Sequence, residues 1–280
     1  MDNPPRIPGY ELIHLLGGGP FSQVYSALEY RTGETVAVKL PRLVGLMAPT
    51  ALTLLRREAE AGSAVKHPHL VRVRRQHTDF APYYLVMDLV EGESVRLKLQ
   101  RHRVLHPGLA VWIARQIAEA LAALHRAGFV HGDVKPENIL VTDSKTAILI
   151  DLGYAHRPGA NASFIRSGLV LGTANYLAPE LCARQLDADG KADIYSLGVT
   201  LFEMLTGVLP YPVGTPLRTV DAHLTRPADD LRQHPGNWPR GLPALLLRMM
   251  ARSPCNRPPA ERLVSDLVAL EIDILKQQPA

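Results

Sequence analysis

The sequence predicts an α+β chain in two lobes, a β-rich N-terminal lobe with one helix and a helical C-terminal lobe. Three observations carry that expectation. Ahead of Glu91 the apolar residues come in short alternating runs, most clearly in Glu34 to Leu40, where Val36, Val38 and Leu40 fall on one face and Thr35, Ala37 and Lys39 on the other. After Glu91 the apolar spacing becomes helical. The chain has 280 residues and is 46% hydrophobic, enough for a sizeable core in one large domain or two lobes.

The elements follow in order. Tyr10 to Leu16 and Val24 to Glu29 flank a glycine cluster, as the strands of a hairpin do, and the alternating run Glu34 to Leu40 makes a third strand. Thr50 to Val65 reads as a charged amphipathic helix and Tyr83 to Leu89 as an apolar strand. Leu109 to Ala127 places Ile113, Ile117, Leu121 and Leu124 on one stripe, and Gly128 follows where a left-handed cap is expected. Ile139-Leu140-Val141 and Ile148-Leu149-Ile150 read as short buried strands. Ala192 to Thr206 is apolar on most faces, a buried helix ending at Gly207; Leu242 to Ala251 and Pro259 to Lys276 are closing helices. The lobes meet near residues 88 to 92, an N-lobe of about 1–88 and a C-lobe of about 92–280.

Composition excludes several classes. The formal charge of +4 and a pI near 9.1, without a block of basic residues and with only 6% aromatics, argue against nucleic acid as a partner. Cys182 and Cys255 stand outside any Cys/His cluster, which argues against a zinc site and for a reducing compartment. The N-terminus lacks the apolar core of a signal peptide, and no run of about 18 apolar residues offers a membrane span. The expectation is a cytoplasmic protein.

The chemistry concentrates in a few places. Gly17-Gly18-Gly19-Pro20-Phe21-Ser22-Gln23-Val24 lies between two strands, where glycines let backbone N–H groups approach phosphates. Ser22 stands where a third glycine of such a loop is expected. Lys39, in Val36-Ala37-Val38-Lys39, shares a face with Ala37 and is placed to reach α- and β-phosphates. An anion must orient it, and Glu58 and Glu60 on the next helix are both candidates. In His131-Gly132-Asp133-Val134-Lys135-Pro136-Glu137-Asn138 the Asp133 carboxylate can accept a hydroxyl proton, Asn138 can hold Mg²⁺, and Lys135 can neutralise a transferring phosphate. Asp151, ending the apolar run Ala147 to Ile150 and followed by Leu152-Gly153, supplies a second metal ligand.

In this order the motifs resemble those of eukaryotic-like (Hanks-type) protein serine/threonine kinases: the glycine-rich loop, Val-Ala-Val-Lys, the catalytic loop, an Asp-Leu-Gly variant of Asp-Phe-Gly, and Ala178-Pro179-Glu180. The resemblance covers residues 10–275 and implies the bilobal protein kinase fold, ATP and Mg²⁺ as cofactors, and a protein substrate with a serine or threonine acceptor. It implies Glu58 rather than Glu60 as partner of Lys39. It further implies that Gly17, Gly18 and Gly19 lie over the phosphates, that Val24, Ala37 and Leu140 sandwich the adenine, that Met87 is the gatekeeper and Asp88 to Val90 the hinge. Asp193 is to anchor the catalytic loop, Arg257 to pair with Glu180, Thr173 to meet Asp133 and Lys135, and Glu137 and Glu203 to read a basic residue of the substrate.

Gly132 replaces the arginine that in many members of that family pairs with a phosphorylated activation loop, so activity is expected not to depend strictly on phosphorylation of Ser163 or Ser167. His-Gly-Asp also resembles small-molecule phosphotransferases, which usually lack the Ala-Pro-Glu segment and the closing arginine that this sequence has. A nucleotide-binding pseudokinase would be marked by loss of Lys39, Asp133, Asn138 or Asp151, all of which are present. The length leaves no room for a large sensor domain, so regulation is expected from the catalytic domain or from partners. Substrate identity and oligomeric state are not encoded in any recognisable motif.

Overall fold

The computed structural model describes residues 5–169, 171–186, 188–212 and 214–277. These residues form two compact units. The first takes the described chain up to His67 together with Val71–Glu91 and Asp151–Ala155; the second takes Pro68–Leu70, Gly92–Ile150 and the chain from His156 onward.

The first unit is built on an antiparallel sheet of β1 (Tyr10–Gly18), β2 (Ser22–Glu29), β3 (Thr35–Pro41), β4 (Val73–His77) and β5 (Tyr84–Asp88), in the order β1-β2-β3-β5-β4. The alternation of β3 sets its two faces. Val36, Val38 and Leu40 pack with Ile7, Tyr10, Ala27 and Val86 on one side. On the other, Leu85 packs with Leu55 and Ala59 of α1 (Ala48–Ala64). Burying both faces of the central strands is what lets a run as short as Thr35–Pro41 hold a fixed register. The expected glycine hairpin is present, but pairing runs further than the apolar pattern does: Gly17 faces Val24 and Gly18 faces Gln23.

In the second unit β6 (Glu93–Ser94), β7 (Ile139–Val141) and β8 (Ala147–Leu149) form a small antiparallel sheet. Around it lie α2 (Val95–His102), α3 (Pro107–Arg126), α4 (Ala162–Arg166), α5 (Pro179–Cys182), α6 (Lys191–Thr206), α7 (Pro216–Thr225), α8 (Leu242–Met249) and α9 (Ala260–Gln277). Helix α6 is buried from Ala192 to Leu205, as its all-round apolar pattern requires. Gly128 and Gly207 close α3 and α6 with φ of 79° and 74°. Several expected boundaries move. Prolines at the first turns of α1 and α3 start these helices earlier than the apolar periodicity does, since a proline N–H is not needed there. Strand β8 starts at Ala147 and stops before Ile150, whose N–H leaves the ladder for the Asn138 carbonyl at 2.8 Å. Six elements lie where the sequence predicts none: β4, β6, α2, α4, α5 and α7. Among the described residues no helix is long and apolar enough to cross a membrane.

Candidate active site

In the first unit, β3 carries Lys39 on the face turned toward α1. Its Nζ lies 2.5 Å from Glu58 Oε2 and 2.5 Å from Asp151 Oδ1. Lys39 is 5% exposed and Glu58 fully buried. Glu60 lies on the exposed side of α1. Burial works against a charged Lys39, but Asp151 and Glu58 outweigh it and hold the ammonium above the ordinary lysine range. Burial, assisted by the like charge of Asp151, raises the Glu58 carboxyl against the pull of Lys39. One ammonium thus serves two carboxylates, an excess of negative charge suited to a divalent cation. Asp151 has φ of 65°, a left-handed backbone in a non-glycine residue, and its Oδ1 accepts a hydrogen bond from Gly153 N at 3.1 Å. Such strain persists only where surrounding structure imposes it.

The sheet sets the other first-unit candidates side by side. Val24 pairs with Lys39, Ala37 with Met87 and Val36 with Asp88. The Asp88 side chain is engaged by Arg74, which also reaches Glu34. Val90 lies beyond β5 and is half-buried. A side chain added at Gly17 or Gly19 would meet nothing within 4 Å, so the protein's own packing does not require glycine there. Glycine there leaves the backbone open to close approach by a ligand.

In the second unit the catalytic loop is held from below by α6. Asp193, buried, accepts hydrogen bonds from His131 N (2.8 Å) and Gly132 N (2.9 Å), and its Oδ2 lies 2.8 Å from His125 Nε2. Burial disfavours the Asp193 charge, but His125, His131 and the Gly132 N–H reverse it and lower its pKa. Gly132 itself has φ of 81°. From this platform the Asp133 carboxylate gathers three neighbours. Thr173 Oγ1 donates to Oδ1 at 2.7 Å, Lys135 Nζ lies 2.6 Å from Oδ2, and Asn138 Nδ2 donates to Oδ2 at 3.0 Å. Lys135 Nζ also donates to Thr173 Oγ1 at 2.7 Å. A hydroxyl between a carboxylate and an ammonium is the arrangement an acceptor alcohol needs. Leu140 sits on β7, paired with Ser94 and Ile148.

The segment after Thr173 is also fixed. Arg257, buried, donates to both oxygens of Glu180 at 2.6 and 2.8 Å and to the carbonyls of Ala251, Lys191 and Arg252. One expectation changes. Glu137 and Glu203 do not stand open for a substrate's basic residue, because both bind Arg96 of α2. Arg96, Tyr176 and His125 escaped sequence reasoning, having no motif of their own.

A carboxylate gripping a hydroxyl beside a lysine, and a lysine held between two further carboxylates, are arrangements that the protein kinase motif set calls for. The family model described as protein kinase domain matches residues 10–268, and the chain belongs to that family. It is 37% identical over 249 residues to a protein named serine/threonine-protein kinase PknD of Mycobacterium tuberculosis, covering 89% of this chain and 37% of that one. It is 34% identical over 263 residues to one named PknB of Mycobacterium leprae (92% and 42%) and 31% identical over 276 residues to one named PrkC of Bacillus subtilis (98% and 42%). The chain therefore spans about two fifths of the length of these curated relatives.

Proposed function

We propose that this chain transfers the γ-phosphoryl group of ATP to serine or threonine hydroxyls of protein substrates. The observation that carries the reading is the Asp133–Thr173–Lys135 arrangement, in which a hydroxyl is already gripped as an acceptor would be. The relatives' names point the same way.

In this reading Asp133 orients the acceptor hydroxyl and takes its proton, and Lys135 steadies the phosphate in flight. Lys39, fixed by Glu58, positions the α- and β-phosphates under Gly17, Gly18 and Gly19. Val24, Ala37, Met87, Asp88, Val90 and Leu140 bind the adenosine part. Asn138 and Asp151 would hold Mg²⁺: a carboxylate and an amide oxygen are the hard donors this ion prefers. When bound, the ion supplies neutralisation of phosphate charge. Positioning and electrostatics supply most of the rate, because the loose transition state needs little covalent help. We place the reaction in the cytoplasm, where ATP is available and where the free thiols of Cys182 and Cys255 stay reduced.

The test is phosphotransfer with ATP and Mg²⁺, comparing the wild type with Asp133→Asn. Labelled serine or threonine on protein, falling at least about 100-fold in the variant, supports the kinase. Nucleotide binding without transfer would make the chain a binding module. Labelling of small molecules alone would make it a small-molecule phosphotransferase.

A further inference from the structure

Helix α2 places Arg96 among three acceptors that belong to distant parts of the second unit. Its Nε donates to Glu137 Oε1 at 2.8 Å, its Nη1 to Glu203 Oε1 at 2.7 Å, and its Nη2 to Glu203 Oε2 at 3.3 Å and to Tyr176 Oη at 2.6 Å. Tyr176 Oη donates in turn to Glu203 Oε2 at 2.6 Å. Glu203 and Tyr176 are buried, whereas Glu137 is 44% exposed, so the recess is closed at its base and open at its rim. Two carboxylates and a phenol, each within hydrogen-bond distance of the same guanidinium, make a guanidinium site, and one guanidinium satisfies it.

The site stands close to the acceptor position. Glu137 follows Asp133 by four residues and Lys135 by two, and Tyr176 follows Thr173 by three. At no more than about 3.6 Å per residue, the recess lies within roughly four residues' reach of an extended peptide whose hydroxyl meets Asp133.

We propose that Arg96 is a specificity-determining residue: it fills from within the chain a recess that would otherwise take an arginine of the peptide substrate. The proposal rests on the kinase reading above and deepens it. The substrate class is serine/threonine proteins with no requirement for an arginine near the acceptor. Removing Arg96 opens the recess and creates such a requirement.

The experiment is a peptide series with arginine scanned through four positions on either side of the acceptor, given to the wild type and to Arg96→Ala. The wild type is expected to show kcat/KM values within about threefold across the series. The variant is expected to gain about tenfold or more for arginine at one position, mainly through KM. Independently of catalysis, millimolar methylguanidine should raise the Tm of Arg96→Ala and leave the wild type unchanged. If Arg96→Ala does not fold, Arg96→Met, which keeps the aliphatic stem, replaces it. A tenfold arginine preference in the wild type overturns the proposal whatever the variants do. So does a flat profile in a folded variant, even one that binds methylguanidine, since the recess would then lie off the peptide's path. Failure of the wild type to phosphorylate any protein or peptide sinks the kinase reading itself, an outcome distinct from transfer with the wrong preference.

Discussion

Replacing Arg257 by alanine should be among the most damaging single changes in the C-terminal half of the chain. The arginine is 2% exposed and Glu180 is 5% exposed, so the variant strands a carboxylate that water cannot reach. Breaking one partner of a buried ion pair costs about 3–5 kcal/mol. The carbonyls of Ala251, Lys191 and Arg252 lose their donor as well, and the guanidinium no longer lies over the Tyr195 ring, 4.9 Å from its centroid. We take about 4 kcal/mol as the expected loss. At roughly 2–4 °C per kcal/mol for a chain of this size, Tm should fall by about 8–16 °C. Thermal unfolding followed by calorimetry measures this. Glu180→Gln combined with Arg257→Met removes both charges and should recover at least about 1 kcal/mol relative to Arg257→Ala. The reasoning fails if Arg257→Ala loses less than about 1 kcal/mol, or if the double variant is less stable than the single.

Two further outcomes are expected. Ser163→Ala with Ser167→Ala should retain turnover of a protein substrate within about threefold, because Gly132 offers no guanidinium to a phosphorylated segment; loss of turnover by both substitutions together would refute this. His223, buried against Tyr195 and Tyr211, has its pKa pushed down by burial from an ordinary 6.5 to about 4. The unfolded chain therefore binds the proton first, so the stabilisation present above pH 6.5 is lost as pH falls toward 4, by about 3 kcal/mol. His223→Phe should flatten that part of the pH–Tm curve, and an equally steep curve in the variant would assign the acid loss elsewhere.

The residues that could be read from the sequence are those whose chemistry is local. Val36-Ala37-Val38-Lys39 states its strand, its face and its lysine within four positions, and the catalytic loop states its carboxylate, lysine and amide within eight. The first unit's sheet was legible wherever it is buried on a face. Strand β4 was not, because its Arg74, Arg75 and Gln76 are exposed at the sheet's edge and give no alternation. Helix α7 buries only Thr219, Ala222 and His223, too little for a stripe. The Arg96 cluster was illegible for another reason. Its partners lie 41, 80 and 107 residues away, and although Glu137 and Glu203 stand out by resemblance, nothing in the sequence ties Arg96 or Tyr176 to them until the fold brings them together.

The hold of Asp193 on His131 and Gly132 also orders events in time. The loop residues leave the ribosome some 60 positions ahead of the aspartate that shapes them. Closing a chain segment of that length costs about 3–4 kcal/mol of entropy, which only the packing of the finished α6 can offset. Until that helix is complete, a growing chain carries the whole His131–Asn138 motif without the contacts that shape it.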